Sequence, residues 1–205
     1  YPSTPELVQK LTGGQAAEVL WNRNARAEDF TTVRLGLGRM DISSMIRTPA
    51  VRFSIRSDEL EEQPAKLKAD YQTILQIPSL LCIGQHKLTG IIGEQARVQE
   101  VVRNIVLQLA MLHSYTDVRL IGLFREGEQE LFSWLRWLPH VFSPDKSHRL
   151  LACSEADYQA VLSYLLDVLR ARDSRDALQS GEAPLPVYVV LCTDPKILYN
   201  HAVYR

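Results

Sequence analysis

The chain has 205 residues, of which 46% are hydrophobic and 23% are charged, and its net charge is −1. This composition suits one globular domain with a short extension and excludes a chain that is disordered throughout. The balanced charge provides no overall field that would favour nucleic acid or an anionic membrane surface, so we expect no nucleic-acid partner. No apolar run is long enough to span a bilayer.

The N-terminal part is predicted to form a β/helical extension. Apolar positions within residues 4–22 indicate one or two short helices. Phe30–Gly38 alternates apolar with polar or glycine residues, as a strand does, and Ala50–Ile55 has the same period. These two strands could pair in antiparallel fashion.

A third helix is predicted to begin at Ser57 or Asp58, because either residue could cap the acidic first turn that follows. Pro64 is expected to interrupt this helix and Pro78 to end it. The composition changes at Pro78, so we divide the chain into residues 1–78, a linker helix with the extension, and residues 79–205. Since the chain starts at Tyr1 and stops soon after a strong strand, we expect it to be a piece of a longer protein, truncated at the C-terminus.

Strands and helices alternate in residues 79–205. Strands are predicted at 79–84, 88–93, 117–124, 148–153 and 187–192. Helices are predicted at 94–113, at 128–139 and from the capping residue Ser154 onward. From residue 88 the order is β-α-β-α-β-α-β, which predicts an α/β fold with a mostly parallel sheet flanked by helices.

The stretch "LTGIIGEQARVQE" lies where a nucleotide-binding P-loop would begin. The pattern GxxxxGK[ST] requires glycine, lysine and a hydroxyl residue for the phosphates and magnesium. Counting from Gly93, those positions hold Val98, Gln99 and Glu100, and Glu100 would place a carboxylate where a phosphate would lie. Counting from Gly90 also fails. We interpret the stretch as a degenerate phosphate-binding loop, with an ordinary β-α turn as the alternative.

The acidic half of such a site is also degenerate. In an ATPase, a carboxylate at the end of a buried strand holds magnesium and orients water. Here "VYVVLCTDP" ends in Thr193 and Asp194, and a single Asp before Pro195 is more often a turn residue. We therefore assign no catalytic, cofactor-binding or metal-binding residue.

Three other groups of residues were considered as sites. Cys82, Cys153 and Cys192 each follow an apolar run, which predicts buried, reduced thiols in strands. The histidines lack the spacing of metal ligands. His140 and His148 flank Ser143 and Asp145, but chance composition explains this better than a Ser-His-Asp triad.

The stretch "LFSWLRWLPH" predicts an interface. Phe132, Trp134 and Trp137 cannot all lie on one narrow helical stripe, so at least one is expected to be exposed. Tryptophan and arginine are enriched at interfaces, which makes Trp134, Arg136 and Trp137 candidate contact residues. The alternative is that the aromatic residues cover the sheet edge as part of the core.

Four stretches together resemble a known family. They are "DFTTVRLGLG", "GIIGEQARVQEVVRNIVLQLAMLHSYTDVRLIGLF", "FSWLRWLPHVFSPD" and "ACSEADYQAVLSYLLDVLRAR". They resemble the membrane-anchored FtsK/SpoIIIE-type ATPases of the type VII secretion system, in the EssC/YukB form related to EccC. The resemblance extends from about Leu20 to Asp194 and is specific only for the combination of stretches.

The resemblance implies a P-loop-NTPase-like, degenerate domain between the transmembrane helices and the tandem ATPase domains, at the cytoplasmic face of the cell membrane. It implies that ATP and Mg act in the parent protein and that this domain has no cofactor. The implied partners are the adjacent ATPase domains of the same chain, other membrane components of the secretion system and further copies of the parent. The parent would export WXG-type substrates. The family's binding residues lie mainly in later domains, so none is carried over.

Three hypotheses remain open at this point. The leading one is a non-catalytic module that couples the membrane part to the motor domains. The second is an atypical nucleotide site completed by a neighbouring subunit, with Arg97 and Asp194 as its local members. The third is a module that binds a substrate or partner helix in a groove.

Overall fold

A computed structural model of the protein describes residues 1–42, 45, 47, 59–173, 185–199 and 201–204. The α-helices are α1 (Thr4–Thr12), α2 (Ala16–Val19), α3 (Glu59–Asp70), α4 (Gln95–Leu112), α5 (Glu155–Asp173) and α6 (Lys196–Tyr199). The strands are β1 (Thr32–Asp41), β2 (Thr73–Cys82), β3 (Val118–Leu123), β4 (Leu151–Ala152) and β5 (Val187–Cys192). Short 3-10 helices cover Ile83–Gln85, Gln129–Trp137, Pro139–Val141 and Ala202–Tyr204.

A parallel sheet in the order β4-β3-β5 forms the centre of the fold. All six residues of β3 are buried, as expected for a strand with helices on both faces. Helix α4 packs against one face with Ile105 and Leu109, and α5 packs against the other with Leu162 and Leu165. This three-layer arrangement confirms the predicted α/β class with a parallel sheet.

Gly122 in β3 is required by close packing. A Cβ atom at this position would lie 2.5 Å from the ring of Phe124 and 2.8 Å from the side chain of Leu151. The Phe124 ring cannot move freely, because it is stacked on the ring of Phe132 with 4.1 Å between the centroids. The backbone of β3 and this aromatic pair therefore fit together only when residue 122 lacks a side chain.

The N-terminal segment packs on the side of α4 that faces away from the sheet. Its first helix starts with a capping box between Ser3 and Glu6, and Leu7 and Val19 contact the end of α4. The backbone N–H of Trp21 donates to Met111 O at 2.8 Å, and that of Arg23 donates to Leu112 O at 3.0 Å. The segment thus supplies partners for the terminal carbonyl groups of α4, which have none within the helix. The two predicted short helices are confirmed.

Two buried histidines join this segment to the core. His113 Nε2 accepts a hydrogen bond from the Thr31 N–H at 3.1 Å, and its Nδ1 lies 3.2 Å from Leu109 O. His140 Nε2 lies 2.9 Å from His113 O. Burial lowers the pKa of His113 to about 4 and also lowers the pKa of His140, because a desolvated imidazolium is disfavoured.

Strands β1 and β2 form a separate antiparallel ribbon, and the predicted pairing of Phe30–Gly38 with Ala50–Ile55 stays a prediction. The partner of β1 is β2, whereas Ala50–Ile55 lies outside the described residues. Helix α3 continues through Pro64 and ends at Asp70, so the predictions that Pro64 interrupts it and that it reaches Pro78 were wrong. Residues 73–78 instead pair as strand, because β-branched side chains favour an extended backbone with a partner available. Strand β2 crosses residue 78, and the division of the chain at that position stays a prediction.

The predicted strand at residues 88–93 is absent from the described sheets. Leu88 is 88% exposed and Ile92 is 99% exposed, and the segment pairs with no strand of the described residues. An apolar run forms a strand only where its backbone pairs with a neighbouring strand, and this segment has no such pairing among the described residues. The predicted β-α-β-α-β-α-β order therefore loses its first strand, and the predicted helix at 128–139 is a 3-10 helix.

Candidate functional site

A cleft of about 350 Å³ opens at the carboxyl ends of β3 and β5, beside the start of α4. In a P-loop NTPase the nucleotide lies at this edge of the sheet. The lining residues are mostly apolar or aromatic and come from the loop before α4, from α4, from the segment after β3 and from the end of β5. They include Ile91, Val98, Val102, Phe124, Leu131, Phe132, Val190 and Leu191.

The start of α4 has none of the side chains that the phosphate-loop pattern requires at residues 98–100. Val98 and Gln99 are half-buried and line the cleft together with Gly93. Glu100 lies outside the lining, and its carboxylate is 3.1 Å from the guanidinium of Arg97 on the exposed helix surface. The residue in the lysine position, Gln99, is neutral, and Arg97 is paired with Glu100 rather than lining the cleft.

The end of β5 is engaged in structural contacts. The Thr193 hydroxyl accepts a hydrogen bond from the Arg125 N–H at 3.1 Å. Asp194 Oδ2 lies 3.4 Å from Arg125 Nε, and its Oδ1 accepts from the Lys196 N–H at 3.0 Å, at the start of α6. Thr193 lines the cleft, whereas Asp194 is absent from its lining. These contacts are those of a turn and cap residue, which is the reading the sequence favoured for Asp194.

Glu128 brings a carboxylate to the cleft, and sequence reasoning did not identify it. It lines the cleft, and its buried Oε2 has no hydrogen-bond partner among the described residues. A buried carboxylate oxygen without a partner is unfavourable and repels a bound phosphate. Neither periodicity nor a motif marks this position, because "EGEQE" has the composition of an ordinary polar loop.

The chemistry of the cleft differs from that of a nucleotide site. Of the described residues that line it, none is lysine or arginine, so the lining itself supplies no positive charge for a polyphosphate. In the described ranges, no group of three or more His, Cys, Asp or Glu side chains could hold a metal ion. The stacked rings of Phe124 and Phe132 form part of the wall. The arrangement can accommodate apolar groups.

The three candidate interface residues have different environments. Trp134 is half-buried against the core, with the Arg103 guanidinium 6.0 Å from its ring centroid. Trp137 is 78% exposed, and Arg136 lies 5.3 Å from the centroid of its ring. The expectation that one of the aromatic residues is exposed is confirmed for Trp137, whereas Phe132 belongs to the core.

The other candidate groups carry no catalytic geometry. His140 lies in the core, and the Ser143 hydroxyl donates to Asp145 within a turn. His148 contacts the Ser147 hydroxyl and stacks on Tyr164, so it does not act on Ser143 through its ring. The three cysteines are free thiols at or just after strand ends, and they are half-buried rather than buried as predicted. Cys192 is accessible because the end of β5 borders the cleft.

Known proteins that are similar in sequence to this chain carry the names of ESX or type VII secretion system proteins. No family model matches the chain. It is 27% identical over 185 residues to the ESX secretion system protein EccC of Geobacillus thermodenitrificans (strain NG80-2). It is 23% identical over 204 residues to the ESX secretion system protein YukB of Bacillus subtilis (strain 168). It is 24% identical over 207 aligned positions to the type VII secretion system protein EssC of Staphylococcus aureus (strain MSSA476).

These similarities cover 90% to 99% of the chain and confirm the resemblance that the sequence motifs indicate. The chain spans only 12% to 14% of the length of these relatives. Within the described residues, no helix combines the length and apolar character needed to cross a membrane.

Proposed function

We propose that this chain is a non-catalytic, ATPase-like module of a type VII secretion motor. Its role is to couple the membrane part of the parent protein to the motor domains at the cytoplasmic face of the membrane, and to contribute to assembly or regulation. The parent uses ATP and Mg in its other domains and exports WXG-type substrates. Its partners are the adjacent ATPase domains, other secretion-system membrane components and further copies of the parent.

One observation carries the non-catalytic assignment. The edge of the sheet where a nucleotide would lie has an apolar cleft whose only carboxylate, among the lining residues, is Glu128 and which has no lysine or arginine. Phosphoryl transfer depends on cationic groups that neutralise the developing charge, and the absence of such groups from the described lining opposes nucleotide binding.

The packing of the N-terminal segment supports the coupling role. This segment contacts the carboxyl end of α4 through Trp21 and Arg23, and the amino end of the same helix borders the cleft. The single helix thus connects the N-terminal segment to the surface around the cleft.

Isothermal titration of the 205-residue chain with Mg-ATP tests the proposal. We expect no heat of binding up to about 1 mM nucleotide and no release of phosphate. Tight binding with turnover by this chain alone would overturn the non-catalytic assignment. Titration of an unrelated active ATPase under the same conditions serves as the control for the assay.

The second candidate, an atypical nucleotide site completed by a neighbouring subunit, retains Arg97 and Asp194 as local members. Both side chains are engaged in ion pairs, with Glu100 and Arg125 respectively. If the chain binds nucleotide, Arg97→Ala is expected to abolish that binding under this hypothesis. Unchanged binding in Arg97→Ala would exclude Arg97 from the site.

A further inference from the structure

A depression of about 610 Å³ lies next to the 3-10 helix Gln129–Trp137 and is lined by Arg136, Trp137, Phe142 and Arg149. A second depression of about 520 Å³ shares the two arginines. We call the first depression the Arg136–Arg149 site. It is distinct from the cleft beside α4, with which it has no lining residue in common.

Both arginines of the site are positioned by aromatic rings. The Arg136 guanidinium lies 5.3 Å from the centroid of the Trp137 ring, and that of Arg149 lies 5.2 Å from the centroid of the Phe142 ring. A guanidinium over a ring face is attracted by the ring quadrupole, which limits the orientations of an otherwise flexible side chain.

The donor groups of both arginines are unpaired. In the part of the chain that the structure describes, no carboxylate lies within ion-pair distance of Arg136 or Arg149, and neither guanidinium donates a hydrogen bond. Each guanidinium has five N–H donors in a planar fork, which matches the two oxygens of a carboxylate. The site therefore offers two carboxylate-binding positions in one concave surface.

The backbone beneath the site is held in place. Phe142 and Arg149 face each other across an antiparallel bridge, and the loop between them closes around Asp145. The Ser143 and Ser147 hydroxyls donate to the Asp145 carboxylate, and these hydrogen bonds lower its pKa to about 2. Asp145 stays ionised, and the loop keeps Arg149 beside Phe142.

We propose that the Arg136–Arg149 site binds an acidic protein segment, whose carboxylates pair with the two arginines while an apolar side chain covers Trp137. The inference deepens the proposed assembly role and rests on it for the origin of the segment, in a neighbouring domain or subunit. Trp137 is 78% exposed, and tryptophan with arginine is the combination enriched at protein interfaces.

The number of cations favours a protein segment over a membrane or nucleic acid. Anionic lipid surfaces are recognised by clusters of about four to eight lysines or arginines, and this site has two. Nucleic-acid binding depends on many phosphate contacts from a basic surface, and the chain has a net charge of −1.

Fluorescence polarisation tests the proposal with a fluorescein-labelled peptide of alternating glutamate and leucine. A matched peptide has glutamine in place of glutamate. We expect the 205-residue chain to bind the glutamate peptide and not the glutamine peptide. Arg136→Gln and Arg149→Gln are each expected to weaken binding by about ten-fold, because each removes a charge-assisted hydrogen-bonding group. Trp137→Ala is expected to weaken it similarly by removing the apolar contact.

The control is the double variant Lys10→Gln/Lys87→Gln, which removes two exposed positive charges outside the site and is expected to bind like the unmodified chain. Circular dichroism confirms that each variant is folded.

No binding of the glutamate peptide at about 1 mM, equal binding of the two peptides, or an equal loss in the control would each overturn the proposal. Arginine-dependent binding of phosphatidylserine vesicles without peptide binding would assign the site to lipid instead. None of these outcomes bears on the nucleotide titration, so the two proposals fail separately.

Discussion

The side-chain amide of Gln108 pairs with the backbone of Arg34 in the way that a neighbouring strand would. Gln108 Oε1 accepts from the Arg34 N–H at 2.8 Å, and its Nε2 donates to the Arg34 carbonyl at 2.7 Å. Gln108 is buried on α4, so a helix side chain satisfies the free edge of β1 where the ribbon meets the core. The backbone of β1 in the ribbon is thereby attached to a side chain of α4.

Gln108→Leu is expected to lower the free energy of unfolding by about 1–3 kcal/mol, because it removes the side-chain acceptor of the Arg34 N–H, whereas the Arg34 carbonyl keeps the Asn104 side-chain amide as a donor. Urea denaturation followed by circular dichroism measures the change. Gln159→Leu, at an exposed position on α5, is the matched control and should alter stability by less than about 0.5 kcal/mol. Equal effects of the two substitutions would contradict this account of Gln108.

Stability is expected to decrease as the pH falls from about 6.5 to about 4. The pKa of His113 is about 4 in the folded chain and near its ordinary value of 6.5 in the unfolded chain, so the unfolded state binds more protons in this range. The contribution of neutral His113 to the free energy of unfolding is fully present above pH 6.5. Up to about 3 kcal/mol of it is lost as the pH falls towards 4. His140 acts in the same direction.

Denaturation curves at pH 7.5 and pH 5 check this expectation. His113→Gln should reduce the difference between the two pH values, although it lowers stability at both. His86→Gln, at an exposed position, should leave the difference unchanged. If His113→Gln kept the full pH dependence, the buried imidazole would not be its source.

Gly122→Ala is expected to destabilise the chain by about 1–3 kcal/mol, because the new Cβ would overlap the Phe124 ring and the Leu151 side chain. Gly36→Ala is the control: a Cβ there would have nothing within 4 Å, so we expect a small effect of either sign. Thermal unfolding of both variants measures the contrast. Comparable melting temperatures would show that the Phe124–Phe132 pair can move aside.

Restoring the phosphate-loop residues is expected not to restore nucleotide binding. The triple variant Val98→Gly, Gln99→Lys, Glu100→Thr supplies the missing residues of the pattern. It leaves two obstacles unchanged: no strand of the described sheets leads into α4, and Glu128 lines the cleft. Isothermal titration with Mg-ATP should therefore remain flat. Circular dichroism establishes that the variant is folded. Binding in the micromolar range would mean that only the missing side chains prevent nucleotide binding.

Glu128→Leu is expected to raise the free energy of unfolding by up to about 1 kcal/mol, because it removes a buried carboxylate oxygen that lacks a partner. Glu130→Leu, at an exposed position in the 3-10 helix that follows Glu128, is the control and should change stability little. Urea denaturation distinguishes the two. A clear loss of stability in Glu128→Leu would show that the carboxylate has a favourable interaction in solution.

The parts of the fold that depend on local pattern could be predicted from the sequence. The helix at residues 94–113, the strand at 117–124 and the cap at Ser154 were all predicted, because each is specified within a few turns or one strand. That Gln99 stands where the phosphate-loop pattern has lysine is likewise read directly from a short stretch of sequence.

The remaining features depend on which distant segments meet. Leu88–Gly93 has the composition of a strand, but it pairs with no strand of the described residues. The roles of Gln108 and His113 follow from the backbone of Arg34 and Thr31, which are more than 70 residues away in the chain. Such polar contacts leave no trace in hydrophobic periodicity, and the same is true of Glu128 in the cleft.

The hydrogen bonds from Trp21 and Arg23 to the end of α4 determine how short a stable fragment of this protein can be. A fragment that began at β1 would retain the whole parallel sheet but would expose the last carbonyl groups of α4 and the apolar side chains Met111 and Leu112. Helix α4 has 18 residues, about 27 Å of stiff backbone, and its carboxyl end is held by the N-terminal segment. The helical segment that precedes the sheet is thus an integral part of the domain rather than a tether leading to it.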